Sequence, residues 1–272
     1  YKNTKQPDLK SGFNECWKDQ VGEEYNPDAP HIFDLWNFRK SDELISKNII
    51  SFTDIYDLPN PEMYLNERQM LQFLKTHTND FTESINPELR NEMNSWTFPL
   101  HFIDFETSMV ALPFTKGRKP YEQTAFQFSA HTMHRDGRME HYEWIDAYRG
   151  VFPNYEFVRQ LKAVLDKDEG TIFRYAAHEN TVLRQIQTQM MEDDEQKYGD
   201  LIKWIDTITE YKIGKSKVAG PRNMVDMLQL VREYYYHPDM KGSNSIKAVL
   251  PAVMTGDAIK KKYSKHLYFG TH

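Results

Sequence analysis

The sequence predicts an α/β protein: a mixed sheet of three antiparallel strands followed by βαβ-type elements, flanked by helices, with a helical and irregular appendage at the N-terminal side. Three observations predict it. Between Phe98 and Ile145 lie three strand-length runs, PLHFIDFE, QTAFQFSAHTM and RMEHYEWI. The spacing then changes to helix, short apolar run (GTIFRYA) and helix, an order that returns a strand parallel to an earlier one. Residues 1–95 have neither pattern.

Taken in order, residues 1–30 are polar with interspersed Pro and Gly and no sustained apolar period, so they read as irregular cover. HIFDLWNF supplies one apolar patch, Ile32, Phe33, Leu35, Trp36 and Phe38. After the Pro59/Pro61 break, Asn66 caps a helix through Met70, Leu71 and Leu74, with Glu62 and Glu67 near its positive end. PLHFIDFE reads as a buried central strand. QTAFQFSAHTM alternates at Phe126, Phe128 and Ala130, and Asp136-Gly137 turns it into RMEHYEWI. Asn154 is expected to cap a helix carrying Phe157, Val158, Leu161, Val164 and Leu165, ended by Gly170. GTIFRYA is the fourth strand, and Glu179–Met190 an amphipathic helix through Val182, Leu183 and Ile186. The boundaries expected are an appendage over 1–95 and a main domain over 96–272.

Charge is slightly acidic, 34 Lys+Arg against 40 Asp+Glu, which excludes a nucleic-acid-coating protein but leaves room for a local basic groove. Cys16 is the lone cysteine, so neither an intrachain disulfide nor a thiolate zinc site is available. No apolar run reaches membrane-helix length, and no signal-peptide layout opens the chain. The expectation is a soluble cytoplasmic protein with no membrane partner. Because the first residue is Tyr, the sequence is expected to be part of a longer chain.

Chemistry concentrates in Asp104 and Glu106. Residues i and i+2 of a strand share a face, so two carboxylates stand together at the end of an apolar run, where they call for a cation or a shared proton. Oxygen ligands of this kind suit Mg²⁺ or Mn²⁺; a strand end emerging into solvent would need neither. Glu179, where the fourth strand meets the next helix, can face the same ion or can favour the helix dipole. His178 beside it is a candidate base, ligand or plain surface residue. Asp226 interrupts an apolar run and needs a partner. Lys241, Ser243 and Lys247 surround a helix start that could seat a phosphate, with ordinary capping by Ser243 or Ser245 as the alternative. Lys116, Arg118 and Lys119 follow the first strand and could offer positive charge to a phosphate backbone, or simply form a solvated turn.

These segments together resemble a known family. Asp104-x-Glu106, the acid of Y-x-x-x-E at Glu179, V-D-M-L at Asp226, and Y-Y-x-P-x-M-K-G-S-x-S-I-K-x-V-L-P over 235–251 resemble a bacterial family of domains of unknown function, numbered 2779, over roughly Phe98–Val253. The likeness extends more loosely upstream, around Cys16 and FDLWNFRK. That family is grouped with the DnaQ-like 3′–5′ exonucleases of ribonuclease-H-like fold, whose element order matches the one read above. The resemblance implies a metal-dependent nuclease acting on DNA or RNA, with two ions held by Asp104, Glu106, Glu179 and Asp226; His178, beside Glu179, is the nearest candidate base in the sequence. Two positions depart from the exonuclease pattern: Glu179 stands where Asp is usual, and Ala176 where Asn is. The final acid and its His or Tyr base have no match before His272; Asp257 is the remaining candidate, or the motif lies beyond. Two other functions remain open, an inactive nucleic-acid-binding or assembly module and a hydrolase of small phosphoesters.

Overall fold

A computed structural model describes residues 10–22, 25–256 and 259. Their contacts separate into two units, one built from the residues up to Glu83 together with those from Tyr236 onward, the other from Ser84–Tyr235.

The first unit begins with α1 (Gly12–Val21), a helix in a region the sequence marks as irregular. Ser11 accepts from the Asn14 N–H at its start and Gly22, at φ 88°, stops it; none of its residues is buried, so local capping and not an apolar stripe defines it. Three helices follow: α2 (Ser41–Ser46), α3 (Phe52–Tyr56) and α4 (Glu67–His77). Asn66 caps α4 as expected, in a reciprocal box with Gln69. Ile32, Leu35, Leu44, Phe52, Ile55, Leu65 and Phe73 form the core. The buried side of α4 is Gln69, Gln72 and Phe73, whereas Leu74 is 45% exposed. The two glutamines bracket an irregular segment: Gln72 donates to the Asp34 carbonyl and accepts from the Trp36 N–H, and Gln69 donates to the Trp36 carbonyl.

The second unit holds β1 (Ser84–Ile85), α5 (Leu89–Asn94), β2 (Leu100–Ser108), β3 (Thr124–Met133), β4 (Met139–Ile145), α6 (Asn154–Leu165), β5 (Ile172–Arg174) and α7 (His178–Asp194). After these come α8 (Gly199–Ile208), β6 (Glu210–Ile213), β7 (Ser216–Ala219), β8 (Val225–Asp226) and α9 (Met227–Tyr234). The mixed α/β expectation holds: one five-stranded sheet runs in the order β4-β3-β2-β5-β8, antiparallel from β4 to β2 and parallel across β2, β5 and β8. The Asp136-Gly137 turn forms where read, with Gly137 at φ 86° and the His134 N–H on the Arg138 carbonyl. One core joins Ile103, Phe105 and Phe128 of the sheet to Phe157, Leu161, Val182, Leu183 and Ile186 of α6 and α7. The strongly amphipathic α8 adds Leu201, Trp204, Ile205 and Ile208; neither it nor the β6–β7 hairpin is anticipated by the sequence reading.

Two helix ends differ from expectation. Asn154 lies inside α6 and makes no cap. It is fully buried, its Oδ1 accepting from the Ala125 N–H and its Nδ2 donating to the Gln123 carbonyl and Gln189 Oε1. Tertiary bonding across about 30 residues outcompetes the local cap. Asn154→Ala therefore strands buried polar groups on two other elements and should cost about 2 kcal/mol, read as a lower urea midpoint at unchanged slope. At the other end α6 stops at Leu165, ahead of Gly170, where Arg222 takes the free Leu165 carbonyl and Asp166 accepts from the Trp204 indole.

The chain returns to the first unit for α10 (Ile246–Met254), capped by Ser245. In the turn before it Gly242 sits at φ 75°, and a Cβ there would lie 2.1 Å from the Asp34 carbonyl oxygen. Among the described residues no helix is long and apolar enough to cross a membrane.

A carboxylate site at the start of the seventh helix

Alternation along β2 places Ile103 and Phe105 in the core and turns Asp104 and Glu106 out together on the opposite face. Both carboxylates are exposed. They face Ser129 and Gln127 of β3, and a bulge follows Glu106. The sequence reading placed these acids at a buried strand end; the strand is central, but its second face is open at this point.

Glu179 is the buried member. It lies in the first turn of α7 and is 3% exposed, and its Oε2 has no hydrogen-bond partner among the described residues. Burial pushes its carboxyl up to about 7, reinforced by the negative charges of Asp104 and Asp226 and opposed by its own backbone N–H and Arg174. Those named charges show that the fold draws Asp104, Glu179 and Asp226 into one electrostatic neighbourhood. His178, one residue earlier, is exposed, with Nε2 3.5 Å from the Thr107 hydroxyl just beyond Glu106.

Asp226 has the partner its sequence context demands. Its Oδ1 accepts from the Leu228 N–H, capping α9, and from the Ala176 N–H, both at 2.9 Å. Its Oδ2 pairs with Arg174 Nη1 at 3.1 Å. Arg174, 3% exposed, also binds the Ala176 carbonyl and pairs with Glu210 at 3.2 Å. Ala176 is thus clamped at both backbone groups in the left-handed region, φ 69°, a conformation that costs about 1 kcal/mol or more for Ala. Asn180 exchanges two hydrogen bonds with the Glu210 backbone. Arg174, Asn180 and Glu210 escape the sequence reading; a lone Arg in the apolar run GTIFRYA was the visible signal.

The basic candidates do not gather here. Arg118 is held by Glu122, Asp193 and the Phe152 ring, and Lys119 by Glu192 at 2.6 Å, so most of that charge is neutralised internally; of the three only Lys116, which is exposed, shows no ion pair among the described residues. A cavity of about 700 Å³ beside this loop is lined by Ser108, Phe114, Arg118 and Phe152 and by none of the carboxylates above. A smaller one, about 390 Å³, is lined by Arg174, Glu210, Lys217 and Asp226. Lys241, Ser243 and Lys247 are exposed and belong to the first unit, where Ser245 accepts from the Lys247 N–H. Asp257 falls outside the described residues.

As they stand, no three His, Cys, Asp or Glu side chains among the described residues are close enough together to enclose a metal ion. The donor set nonetheless suits a hard divalent cation: two exposed carboxylates with rotational freedom and a buried one with an unpartnered oxygen, all oxygen ligands. Residues 101–245, more than half the chain, match the profile of a family described as a domain of unknown function (DUF2779). No curated protein and no solved structure matches the chain.

Proposed function

The chain belongs to the DUF2779 family, and from that premise we propose that it is a metal-dependent phosphodiesterase acting on nucleic acid, a 3′–5′ exonuclease of ribonuclease-H-like fold. The observation that carries this reading is Glu179: a buried carboxylate with an unpartnered oxygen, in the electrostatic neighbourhood of Asp104. Leaving such a group ionised in a protein interior is costly without a cation to balance it. The strand order β4-β3-β2-β5-β8, with the D-x-E strand central and antiparallel to one neighbour and parallel to the other, supports the fold reading.

Asp104, Glu106 and Glu179 would hold Mg²⁺ or Mn²⁺. A bound ion of this type acidifies a water and polarises a phosphoryl oxygen. The residues themselves divide the remaining work. Glu179 is fixed by the first turn of α7, so it sets where the exposed pair must converge. Asp104 and Glu106, on a rigid central strand, swing only at their side chains. His178, exposed beside Thr107 and next to Glu179 in sequence, is a candidate proton acceptor there. The exposed face of β2 leaves the carboxylates open to a strand end.

The test is incubation of labelled single- and double-stranded DNA and RNA with the protein and Mn²⁺. Progressive shortening from the 3′ end, abolished in Asp104→Asn and in Glu179→Gln, is the expected result. Binding without cleavage in every condition would make the protein an inactive nucleic-acid module, and cleavage confined to a small phosphoester would make it a different hydrolase; either outcome overturns the reading.

A further inference from the structure

We propose that the cavity of about 700 Å³ at the end of β2 seats a nucleotide, with the flat base on its aromatic wall and the phosphate at its cationic rim. This rests on the nucleic-acid reading above but on no metal ion, since Asp104, Glu106, Glu179 and Asp226 are all absent from the lining. The walls come from two loops and the strand ends between them. Ser108 and Thr124 pair across β2 and β3, Phe114 lies on the loop after β2, and Tyr148, Val151 and Phe152 lie on the loop after β4. Glu106 precedes Ser108 by two residues, about 7 Å along a strand. The cavity thus adjoins the carboxylate face without sharing its side chains.

The two loops hold one another in place. The Thr115 hydroxyl donates to the Val151 carbonyl at 3.1 Å, and the Asp146 N–H to the Phe126 carbonyl at 2.8 Å. Arg118 is the pillar: its guanidinium lies 3.8 Å from the Phe152 ring centre while pairing with Glu122 and Asp193. It builds the wall and is not offered to a ligand. A cavity braced in this way needs little ordering when a ligand arrives. Around it Phe114 is 69% and Tyr148 78% exposed, and apolar surface grouped at a concavity marks a binding site. Charge narrows the class of ligand. Glu122 is taken by Arg118 and by the Lys119 backbone N–H, and Asp146 accepts from the Tyr148 N–H. Lys116 and Arg149 are exposed and show no ion pair among the described residues. Aromatic faces beside unpartnered positive charge match a flat ring that carries a phosphate, as a free nucleotide or as one unit of a single strand.

The measurement is binding by the full chain in EDTA, where cleavage cannot intervene. Fluorescence anisotropy follows labelled single-stranded dT and rU of about ten nucleotides, and calorimetry follows dTMP and UMP. Affinity should fall about fivefold or more in Phe114→Ala and in Tyr148→Ala. It should be unchanged in Phe81→Ala, a comparably exposed aromatic of the first unit. Lys116→Gln combined with Arg149→Gln should lower the slope of log affinity against log salt by about one. Mononucleotide binding lost in the same variants assigns the cavity to a free nucleotide; oligonucleotide binding alone assigns it to a unit of a strand. Oligonucleotide binding that all these variants leave intact overturns the proposal and spares the nucleic-acid reading. Failure of every probe to bind the parent at low salt overturns both. Self-association of the chain that Phe114→Ala abolishes, with no nucleotide bound, overturns the proposal by making the surface a contact between copies.

Discussion

Replacing Glu179 with Gln is expected to make the protein more stable above neutral pH and to flatten its stability between about pH 4.5 and 7. The sign follows from the raised carboxyl. In the unfolded chain Glu179 releases its proton near 4.5; in the folded protein it holds it to about 7. Between those values the native state binds the extra proton, so stability falls as pH rises through the window and levels off above it. The full displacement corresponds to about 3 kcal/mol at alkaline pH. Gln carries no charge there, so the stability difference should move by about 3 kcal/mol in the variant's favour between pH 4.5 and pH 8; with about 1 kcal/mol lost at every pH to imperfect amide packing, the variant is slightly the less stable near pH 4.5 and about 2 kcal/mol the more stable at pH 8. Taking the difference between the two removes the contributions of every other titrating group. Parallel stability curves across the window would show that the carboxyl is not held neutral by burial. Saturating Mn²⁺ should narrow the gap at pH 8, since the parent offers a cation one more carboxylate than the variant.

Gly242→Ala is expected to be strongly destabilising. The position combines a left-handed backbone with a Cβ site 2.1 Å from the Asp34 carbonyl oxygen and 2.9 Å from Gln72 Nε2. Gln72 is itself the residue that brackets the Asp34–Trp36 segment, so the neighbour cannot move without breaking buried hydrogen bonds. Backbone strain and overpacking together should cost about 3 kcal/mol or more, seen as earlier urea unfolding. Gly12→Ala, at a helix position with nothing within 4 Å, is the control and should be neutral or mildly stabilising. Equal behaviour of the two variants would mean that the turn does not dock as described.

This gives the run K-G-S-x-S-I-K a structural explanation. Its glycine is required by a close backbone approach, and its second serine caps α10.

What the sequence made legible was whatever is periodic or local. Period-two alternation put Asp104 and Glu106 on one face, the Asp136-Gly137 pair marked its hairpin, and Asn66 announced its helix. What stayed hidden was decided by distant partners. Asn154 carries the same local signature as Asn66, yet Ala125, Gln123 and Gln189 claim its side chain. Glu179 reads as a dipole-favouring acid in a first turn; only the packed fold makes it a buried one. Arg174 shows as an oddity in an apolar run, but its meaning comes from Asp226 and Glu210, 52 and 36 residues later. For the basic loop, the spacing of Lys116, Arg118 and Lys119 carried no hint that Asp193 and Glu192, on α7, would consume two of the three charges.

The first unit is assembled from both sides of the second, and that fixes an order of events on the ribosome. The stretch from Ser84 to Tyr235 is contiguous and can close its own core as soon as it clears the exit tunnel, in line with domains folding as units during synthesis. The helices that precede it cannot finish: Gly242 must still dock against Asp34, and Arg68 must still meet Asn244. At typical elongation speeds of about 5–20 residues per second, the early segment with Ile32, Leu44 and Phe73 waits many seconds with its apolar side chains uncovered. Such a nascent chain is a natural client for a holding chaperone, and the segment most exposed to misassembly is the one that precedes the contiguous unit.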